Sequence, residues 1–400
     1  MPTDDAILVL NCGSSSIKFA VFAPAQGAVP REPAWKGQVK GIGGAAPVFE
    51  ESGCEPRALA PGAAGSERHD ALACIRERVL DRLEGRGLAA VAHRVVHGGS
   101  RYFEPVRVES GVLADLRSYI PLAPLHQPFA LEAIEVLLSA RPDLPQVACF
   151  DTGFHHTLPR VEQMLPLDRA AYDRGLRRYG FHGLSYQYLA TVLPERLGDA
   201  AHGRIVCAHL GSGASLCALQ GLRSVATTMG FSALDGLMMG TRCGSLDPGA
   251  VLYLMEIEKL SLEDVAHVLY HESGLLGMSG VSADVSQLLS LEAETGEQGE
   301  HVREALALYV RRIVREIGSL AAALGGLDGL VFTAGVGEHA APIRQRVCEG
   351  LAFLGVRLDG AANAAQAARI SAPDSTVSVL VEPTNEEWVA ASQAVAMLSA

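Results

Sequence analysis

The order of apolar and polar residues along the chain predicts alternating strands and helices. Residues 7–10 form a short apolar run, residues 11–16 a polar turn, and residues 17–21 alternate like a half-buried strand. Residues 23–66 are rich in Gly, Pro and Ala and show little periodicity, which predicts loops and short edge strands. Apolar residues between 72 and 83 recur at helical spacing. The chain therefore opens with a strand, a glycine–serine turn and a second strand.

The same hairpin pattern recurs half a chain later. Residues 205–208 are apolar, residues 209–213 form a turn, and residues 214–219 lead away from it. Gly211 lies 198 positions after Gly13. Two like hairpins at this separation indicate two related domains, each beginning with a β-hairpin.

The last third of the chain continues the alternation. An apolar stripe from 306 to 324 predicts a long helix, and residues 330–333 predict a strand that ends in a Gly-x-Gly turn at 334–338. A strand at 377–381 and a helix from Glu386 close the chain. Strands that alternate with helices indicate the α/β class, and 400 residues are enough for two domains.

Composition and charge narrow the class of protein. A net charge of -12 argues against a general nucleic-acid or membrane-surface binder. The eight cysteines include no Cys-x-x-Cys pair, which indicates free thiols in a reducing compartment. The first residues are acidic where a signal peptide is basic, and no apolar run approaches the roughly 20 residues of a membrane span. These features predict a soluble, cytoplasmic protein with neither nucleic acid nor membrane as a partner.

Three glycine-containing turns, each after an apolar strand, carry the first chemical signal. Exposed backbone N–H groups at such turns suit phosphate oxygens, and glycine lets the phosphate approach closely. Any one of these turns alone is better explained as an ordinary tight hairpin, but three in one chain favour phosphate binding. Lys18 follows the first turn, where it either neutralises a phosphate or is simply a solvated strand lysine. The chain has no Gly-x-x-x-x-Gly-Lys-Ser/Thr stretch, so it is not a P-loop enzyme.

Four charged or titratable residues stand in similar settings. Arg94 precedes a glycine pair, while His182 and Arg242 each lie in a glycine-rich turn. Asp151 follows the apolar run 147–150, and α/β proteins place ligands at that end of a strand, although a turn-capping Asp is a rival reading. Two arginines and a histidine in such turns predict a clamp for an anionic transition state, which is what phosphoryl transfer requires.

Taken together, these motifs resemble the acetate kinases, within the acetate and sugar kinase/Hsp70/actin superfamily. The matching stretches are residues 11–18, 93–99, 124–126, 151–155, 178–183, 209–215, 240–242, 333–338 and 384–387. The resemblance implies an α/β fold of two duplicated RNase H-like (actin-like ATPase) domains with an interdomain active-site cleft. The first domain would cover 1–150 plus 383–400, and the second, 151–382, would carry the nucleotide site.

The resemblance also implies a role for each matching residue. By it, the catalytic residues are Arg94, Asp151, His182 and Arg242. The nucleotide- and phosphate-binding residues are Ser14, Ser16, Lys18, His209, Gly211, Ser212, Gly213, Asp284, Gly335, Val336, Gly337 and Glu338. The acid pocket comprises Arg94, Val96, Leu125, Phe181 and Ala233, and Asn11 and Glu386 hold the metal, Mg²⁺ (or Mn²⁺).

Several positions depart from the family pattern. Ser212 replaces an Asn of the second phosphate loop, and Val285 and Ser286 stand where an aromatic residue or Met and then an Arg are usual. Ala233 replaces a pocket proline, which should widen the acid pocket, and Ser245 replaces an acidic or amide residue. A single methylene in such a pocket is worth only about 1–3 kcal/mol, so propionate competes with acetate as the acceptor.

The reaction implied is reversible transfer of the ATP γ-phosphoryl group to the carboxylate of acetate, giving acetyl phosphate and ADP. ATP or ADP and a small carboxylate would be the ligands, and the family resemblance implies a homodimer. Propionate, or another short-chain acid, is the alternative acceptor. An actin- or Hsp70-like ATPase and a catalytically impaired nucleotide-binding homologue are further alternatives, which the charged clamp makes less favoured.

Overall fold

The computed structural model describes residues 5–60, 66–83, 85–124 and 126–399. Its strands are β1 Ala6–Cys12, β2 Ser16–Phe22, β3 Trp35–Lys40, β4 Val48–Glu51, β5 Arg57–Ala58, β6 Leu88–Val95, β7 Val106–Arg107, β8 Gln146–Phe150, β9 Arg204–Leu210, β10 Ala214–Gln220, β11 Arg223–Thr227, β12 Gly329–Thr333 and β13 Ser378–Val381. Its α-helices are α1 Glu67–Arg82, α2 Ser110–Ser118, α3 Gln127–Ala140, α4 Arg160–Gln163, α5 Arg169–Asp173, α6 Gly183–Leu197, α7 Pro248–Glu256, α8 Leu262–His271, α9 Gly274–Ser279, α10 Val285–Leu291, α11 Glu297–Leu324, α12 Ala334–His339, α13 Ala341–Gly350, α14 Gly360–Ala364 and α15 Glu386–Ser399. Short 3₁₀ turns lie at Ile120–Leu122, Gly153–Thr157, Gly198–His202 and Ala352–Leu354. The predicted α/β class is confirmed.

The chain divides into two compact units. Unit 1 contains Met1–Phe154, Gly183–Tyr188 and Asn385–Ala400, and unit 2 contains His155–His182 and Leu189–Thr384. Each unit has its own sheet. The domain boundaries near residues 150 and 383 stay a prediction about which segments fold independently.

In unit 1 the described strands form one sheet in the order β5-β4-β3-β2-β1-β6-β8-β7. β1 pairs antiparallel with β2 and parallel with β6, which in turn pairs parallel with β8. One core cluster joins the sheet to α1 and α3, and α15 packs against β1 and β6. Helix α1 buries Leu72, Ile75 and Val79 of the predicted stripe, whereas Leu80 of the same stripe is 48% exposed.

The sheet of unit 2 repeats the central arrangement of unit 1. Its order is β11-β10-β9-β12-β13, with β9, β10 and β11 antiparallel and β9, β12 and β13 parallel. In unit 1, β3-β2-β1-β6-β8 has the same sequence of antiparallel and parallel pairings. The predicted recurrence of the hairpin therefore reflects two sheets of one topology.

Helix α11 is the principal helix of unit 2. It has 28 residues, begins nine positions before the predicted stripe at 306–324, and packs on β9, β10 and β11. Its buried residues lie on one face, so the helix is amphipathic. Of the helices in the described ranges, none combines the length and apolar character needed to cross a bilayer.

The turn predicted at 334–338 is instead the short helix α12, so that prediction was wrong. Ala334 adopts a left-handed φ of 62°, which lets the helix begin directly after β12. The guanidinium of Arg344 then donates to the carbonyl oxygens of Gly337 and Glu338. These carbonyls belong to the last turn of the helix, where no intrahelical partner is available.

Candidate active site

In unit 1, the half-buried Arg94 and the buried Asp151 form a charge-assisted pair at the ends of neighbouring parallel strands. The Nη2 atom of Arg94 lies 2.6 Å from Oδ2 of Asp151, and Nε lies 3.0 Å from both carboxylate oxygens. Asp151 is only 1% exposed. Burial alone would lower the pKa of Arg94, but the negative charges of Asp151 and Glu386 outweigh it and raise that pKa. Arg94 therefore stays charged in any reaction near neutral pH.

Two oxygen-bearing side chains lie on the other side of the same guanidinium. Nη1 of Arg94 is 3.4 Å from Oδ1 of Asn11 and 3.7 Å from Oε2 of Glu386. Burial raises the pKa of Glu386, although the positive charge of Arg94 opposes that effect. A partly buried carboxylate beside an amide oxygen suits Mg²⁺, which binds proteins through one or two carboxylates and keeps waters and substrate phosphates. Within the described ranges, no three His, Cys, Asp or Glu side chains converge into a metal site.

The first glycine–serine turn joins β1 to β2. The N–H of Gly13 donates to the carbonyl of Ser16 over 2.8 Å, while Ser14 and Lys18 are exposed. Arg68 of α1, which the motif analysis missed, donates to the carbonyl oxygens of Gly13 (2.8 Å) and Ser14 (2.9 Å). Arg68 thus stabilises the turn through two backbone carbonyls, and the exposed side chain of Ser14 stays available for a ligand.

The acid-pocket residues of unit 1 are only partly described. Val96 follows β6 immediately and is half-buried. Leu125 lies outside the described residues.

In unit 2, His182 is held against the hairpin of β9 and β10. Its ring stacks on that of His209, with centroids 4.1 Å apart and planes at 14°. Its Nδ1 atom lies 2.9 Å from the hydroxyl oxygen of Ser215, which is fully buried. His182 itself has a left-handed φ of 57°, an unusual conformation for a residue with a side chain. Such strain often accompanies a functional role.

Arg242 and His182 approach the same point in the second phosphate loop. A Cβ atom placed on Gly213 would lie 3.4 Å from Nε2 of His182 and 3.7 Å from Nη1 of Arg242. Nη1 of Arg242 also donates to the carbonyl of Ala233 over 3.1 Å. Burial lowers the pKa of Arg242, opposed weakly by Tyr270. The structure thus brings Gly213 together with His182 and Arg242, two of the three residues of the predicted clamp.

The loop that carries Arg242 is closed at its base by hydrogen bonds. The N–H of Ser245 donates to the carbonyl of Gly236, and the hydroxyl of Ser245 donates to Oδ1 of Asp235 over 2.7 Å. At its tip, the N–H of Met239 donates to the carbonyl of Arg242. Thr241 bonds through its hydroxyl to the carbonyl of Tyr270 at the end of α8. The position of the Arg242 backbone is therefore fixed on two sides.

A cleft of about 530 Å³ lies beside the second phosphate loop, entirely within unit 2. It is lined by Gly211, Ser212, Gly240, Leu275, Ala283, Asp284, Val285, Ser286, Leu289, Tyr309, Gly335, Val336, His339, Ala340 and Pro342. This volume is in the range of small-molecule and cofactor sites. Asp284 also caps α10, because its Oδ1 accepts from the N–H of Gln287.

Three further predicted residues of unit 2 lie in α12 or directly before His182. Gly337 and Glu338 belong to α12, where Oε1 of Glu338 lies 3.4 Å from the N–H of Thr384. Phe181 is buried, and its carbonyl lies 2.9 Å from Nε2 of His155. Burial lowers the pKa of His155 to about 4.

Eight of the predicted residues lie in two groups, one in each unit. Asn11, Arg94, Asp151 and Glu386 are together in unit 1, and His182, His209, Gly213 and Arg242 are together in unit 2. Lys18 and Ser14 are exposed side chains beside the first group's turn.

Four residues that contact the candidate site residues or their loops were not identified from the sequence. These are Arg68, Ser215, Asp235 and Arg344. Arg68 could have been found from its position alone, because it lies four positions before Leu72, on the apolar face of α1, where a charged residue is unusual.

Comparison with known proteins gives a consistent result. The model of the acetokinase family matches residues 6–392. An acetate kinase of Rhodopseudomonas palustris is 50% identical over 392 residues, which is 97% of each chain.

Two solved structures are similar along nearly their whole length. A Porphyromonas gingivalis acetate kinase has a TM-score of 0.84 and 34% identity over 99% of this chain and 100% of its own. A propionate kinase of Francisella tularensis has a TM-score of 0.88 and 31% identity over 97% of this chain and 98% of its own. The resemblance inferred from the motifs and the actin-like fold class are both confirmed.

Proposed function

The chain belongs to the acetokinase family, and from this premise we propose that it transfers the γ-phosphoryl group of ATP reversibly to acetate. A carboxylate oxygen of acetate forms a bond to the γ-phosphorus while the bond from that phosphorus to the β–γ bridging oxygen breaks. The products are acetyl phosphate and ADP. No proton is transferred in this step, because the attacking carboxylate is already ionised. The protein therefore contributes positioning and charge neutralisation.

The observation that carries the proposal is the pair of cationic or N–H-bearing groups around Gly213. His182 Nε2 and Arg242 Nη1 both lie within 4 Å of one point in a glycine loop. Donors fixed in this way are effective where negative charge develops in a transition state. Arg94, held by Asp151, would hold the acid's carboxylate and share in neutralising the transferring group. The adjoining cleft in unit 2 supports a nucleotide as donor.

Asn11 and Glu386 are proposed to hold a divalent cation, Mg²⁺ or Mn²⁺. Such an ion, when bound, neutralises charge on the phosphate oxygens of the nucleotide. The partly buried Glu386 carboxylate, whose pKa is raised by burial, gains a counter-charge from it. Ser14 in the turn and Ser16 and Lys18 at the start of β2 are proposed to contact phosphate oxygens; Ser14 and Lys18 are exposed and Ser16 is half-buried.

The test is replacement of each arginine by alanine, with acyl phosphate trapped as a hydroxamate. Arg94→Ala and Arg242→Ala should each lower kcat by about 10³- to 10⁵-fold, the size of an arginine's contribution in other phosphoryl transferases. Near-normal turnover in both variants would overturn the proposal. ADP release that does not depend on the acid would instead favour an actin- or Hsp70-like ATPase. Tight ATP binding without hydroxamate from acetate, propionate or butyrate would favour an impaired homologue.

Propionate is the second candidate acceptor, because Ala233 stands where a bulkier proline is usual in the family. The carbonyl of Ala233 accepts a hydrogen bond from Arg242, so Ala233 lies next to a proposed catalytic residue. A series of kcat/KM values for acetate, propionate and butyrate, with ATP, GTP and pyrophosphate as donors, decides acceptor and donor together. Ala233→Pro should shift the ratio of kcat/KM toward acetate by up to about 10- to 100-fold if this position restricts the pocket.

We further propose a cytoplasmic homodimer. Helix α7, its C-cap and the start of α8 expose Leu252, Tyr253, Ile257 and Leu262, apolar side chains that a second copy of the chain would cover. Light scattering after gel filtration measures the mass directly. Leu252→Asp with Ile257→Asp should give a monomer, and an unchanged dimer would locate the interface elsewhere.

A further inference from the structure

We propose that Ser215 is a positioning residue that sets the tautomer of His182, so that Nε2 presents its proton to the transferring phosphoryl group. This inference rests on the proposed function and adds a residue to its machinery. Ser215 would act on the substrates only through the imidazole of His182, without contacting the nucleotide or the acid.

Two contacts hold the ring of His182. The Ser215 hydroxyl oxygen lies 2.9 Å from Nδ1, and the His209 ring covers one face at 4.1 Å. Ser215 and His209 are direct partners across the β9–β10 ladder. One strand therefore supplies the hydrogen bond and the other the stacking surface, and neither group can shift without disturbing the hairpin.

The tautomer of His182 follows from the direction of its hydrogen bond with Ser215, and the inference is that the hydroxyl donates to Nδ1. A neutral imidazole has one N–H, so a hydroxyl that donates to Nδ1 leaves the proton on Nε2. A carbonyl in the place of Ser215 would require the opposite tautomer. Nε2 is the atom that approaches Gly213, near Arg242. An N–H there donates to a phosphoryl oxygen, whereas a lone pair there would repel it.

A second serine–histidine pair in unit 2 has its polarity set by its own contacts. Nδ1 of His155 lies 2.8 Å from the hydroxyl oxygen of Ser224, and its Nε2 lies 2.9 Å from the carbonyl of Phe181. A carbonyl only accepts, so Nε2 of His155 carries the proton and Ser224 donates to Nδ1. Burial lowers the pKa of His155 to about 4, which keeps that ring neutral. Both serines are fully buried, so Ser224 is a matched control for Ser215.

The kinetic test compares Ser215→Ala with Ser215→Thr and Ser224→Ala. Ser215→Ala should lower kcat by about 10- to 100-fold with the KM values for ATP and acid within threefold, because only a transition-state contact weakens. Ser215→Thr restores the hydroxyl and should recover most of kcat. Ser224→Ala removes an equivalent buried hydrogen bond and should leave kcat within threefold. Equal loss of kcat in the Ser215→Ala and Ser224→Ala variants would overturn the proposal.

The direct readout is ¹⁵N NMR of protein labelled at histidine. The His182 signals are those that disappear in His182→Gln, and in the wild type they should report a proton on Nε2. In Ser215→Ala the two tautomers should become mixed. A wild-type proton on Nδ1, or an unchanged tautomer and kcat in Ser215→Ala, would overturn the inference. The proposed function fails separately, if Arg242→Ala and His182→Gln retain normal turnover.

Discussion

Nη1 of Arg68 donates a hydrogen bond to the carbonyl oxygen of Gly13 over 2.8 Å, across 55 positions of sequence. The same guanidinium pairs with Glu132 at 3.0 Å and lies 4.4 Å from the centre of the Phe129 ring. Arg68 thus ties the first glycine–serine turn to helices α1 and α3. The turn's conformation depends on a residue that would not itself touch the nucleotide.

Replacement of Arg68 by methionine should loosen that turn. It leaves two carbonyl oxygens and Glu132 without their donor, so the free energy of unfolding should fall by about 2–3 kcal/mol. The KM for ATP should rise by about tenfold. Urea unfolding and steady-state kinetics measure the two effects. Arg76→Met, on the exposed side of the same helix, is the control and should change neither.

The base of the Arg242 loop gives the second prediction. Ser245→Ala removes the hydroxyl that bonds to Asp235 over 2.7 Å, so the loop should open more often. We expect kcat to fall by about tenfold with little change in the KM for ATP. Hydrogen exchange of residues 236–245 should become faster.

Asp235→Asn supplies the comparison for this loop. It keeps an oxygen that can accept from Ser245 and from the N–H of Gly236, so its kcat should stay within about threefold of the wild type. Faster exchange in Ser245→Ala with an unchanged kcat would contradict the role assigned to the loop base.

Helix α12 depends on a fully buried arginine. Arg344 donates to the carbonyl oxygens of Gly337 and Glu338 and to both oxygens of Asn363, and burial lowers its pKa. Arg344→Met should lower the free energy of unfolding by about 3 kcal/mol and weaken nucleotide binding by about tenfold. Calorimetry with ADP measures the binding.

The control for Arg344 lies on the same helix. Arg346 makes a partly exposed pair with Glu292 at 2.7 Å, so Arg346→Met should cost less than about 1 kcal/mol. Equal losses in the two variants would show that α12 is held by other contacts.

Two buried histidines predict a loss of stability in acid. Burial lowers the pKa values of His93 and His155 to about 4, from 6.5. Between pH 6.5 and pH 4 the unfolded chain therefore binds more protons at these sites than the native state, so stability falls as pH falls. Each site should contribute about 3 kcal/mol across this window. Urea unfolding measured at pH 7, 6, 5 and 4 gives the slope.

Glutamine variants test the assignment to these two sites. His93→Gln and His155→Gln should each flatten the dependence of unfolding free energy on pH below 6.5. His93 lies 2.8 Å from Oε1 of Gln146, so an amide there retains a hydrogen-bond donor. An unchanged slope in both variants would assign the acid sensitivity to other groups.

Much of the chemistry was predictable, because it lies in short local motifs. Arg94 precedes a glycine pair by four positions, His182 and Arg242 lie in glycine-rich turns, and Asp151 follows an apolar run, so local context and the family resemblance together indicated them. The two hairpins were recognisable for the same reason, since apolar alternation and glycine turns are local features. The prediction failed at α12, where glycines at 335 and 337 indicated a turn. Arg344, whose contact is set by the tertiary fold, stabilises a helix there.

The sequence by itself determined the order of the strands and helices, the repeated hairpin and the identity of the charged groups. Those properties follow from local periodicity and from residue types at turns. Only the tertiary structure decided that Arg68 supports Gly13, that Ser215 meets His182 and that Asp235 closes the Arg242 loop. These pairs join segments between 10 and 55 positions apart. Their meeting depends on strand register and helix packing, which sum weak interactions over the whole fold and leave no local mark in the sequence.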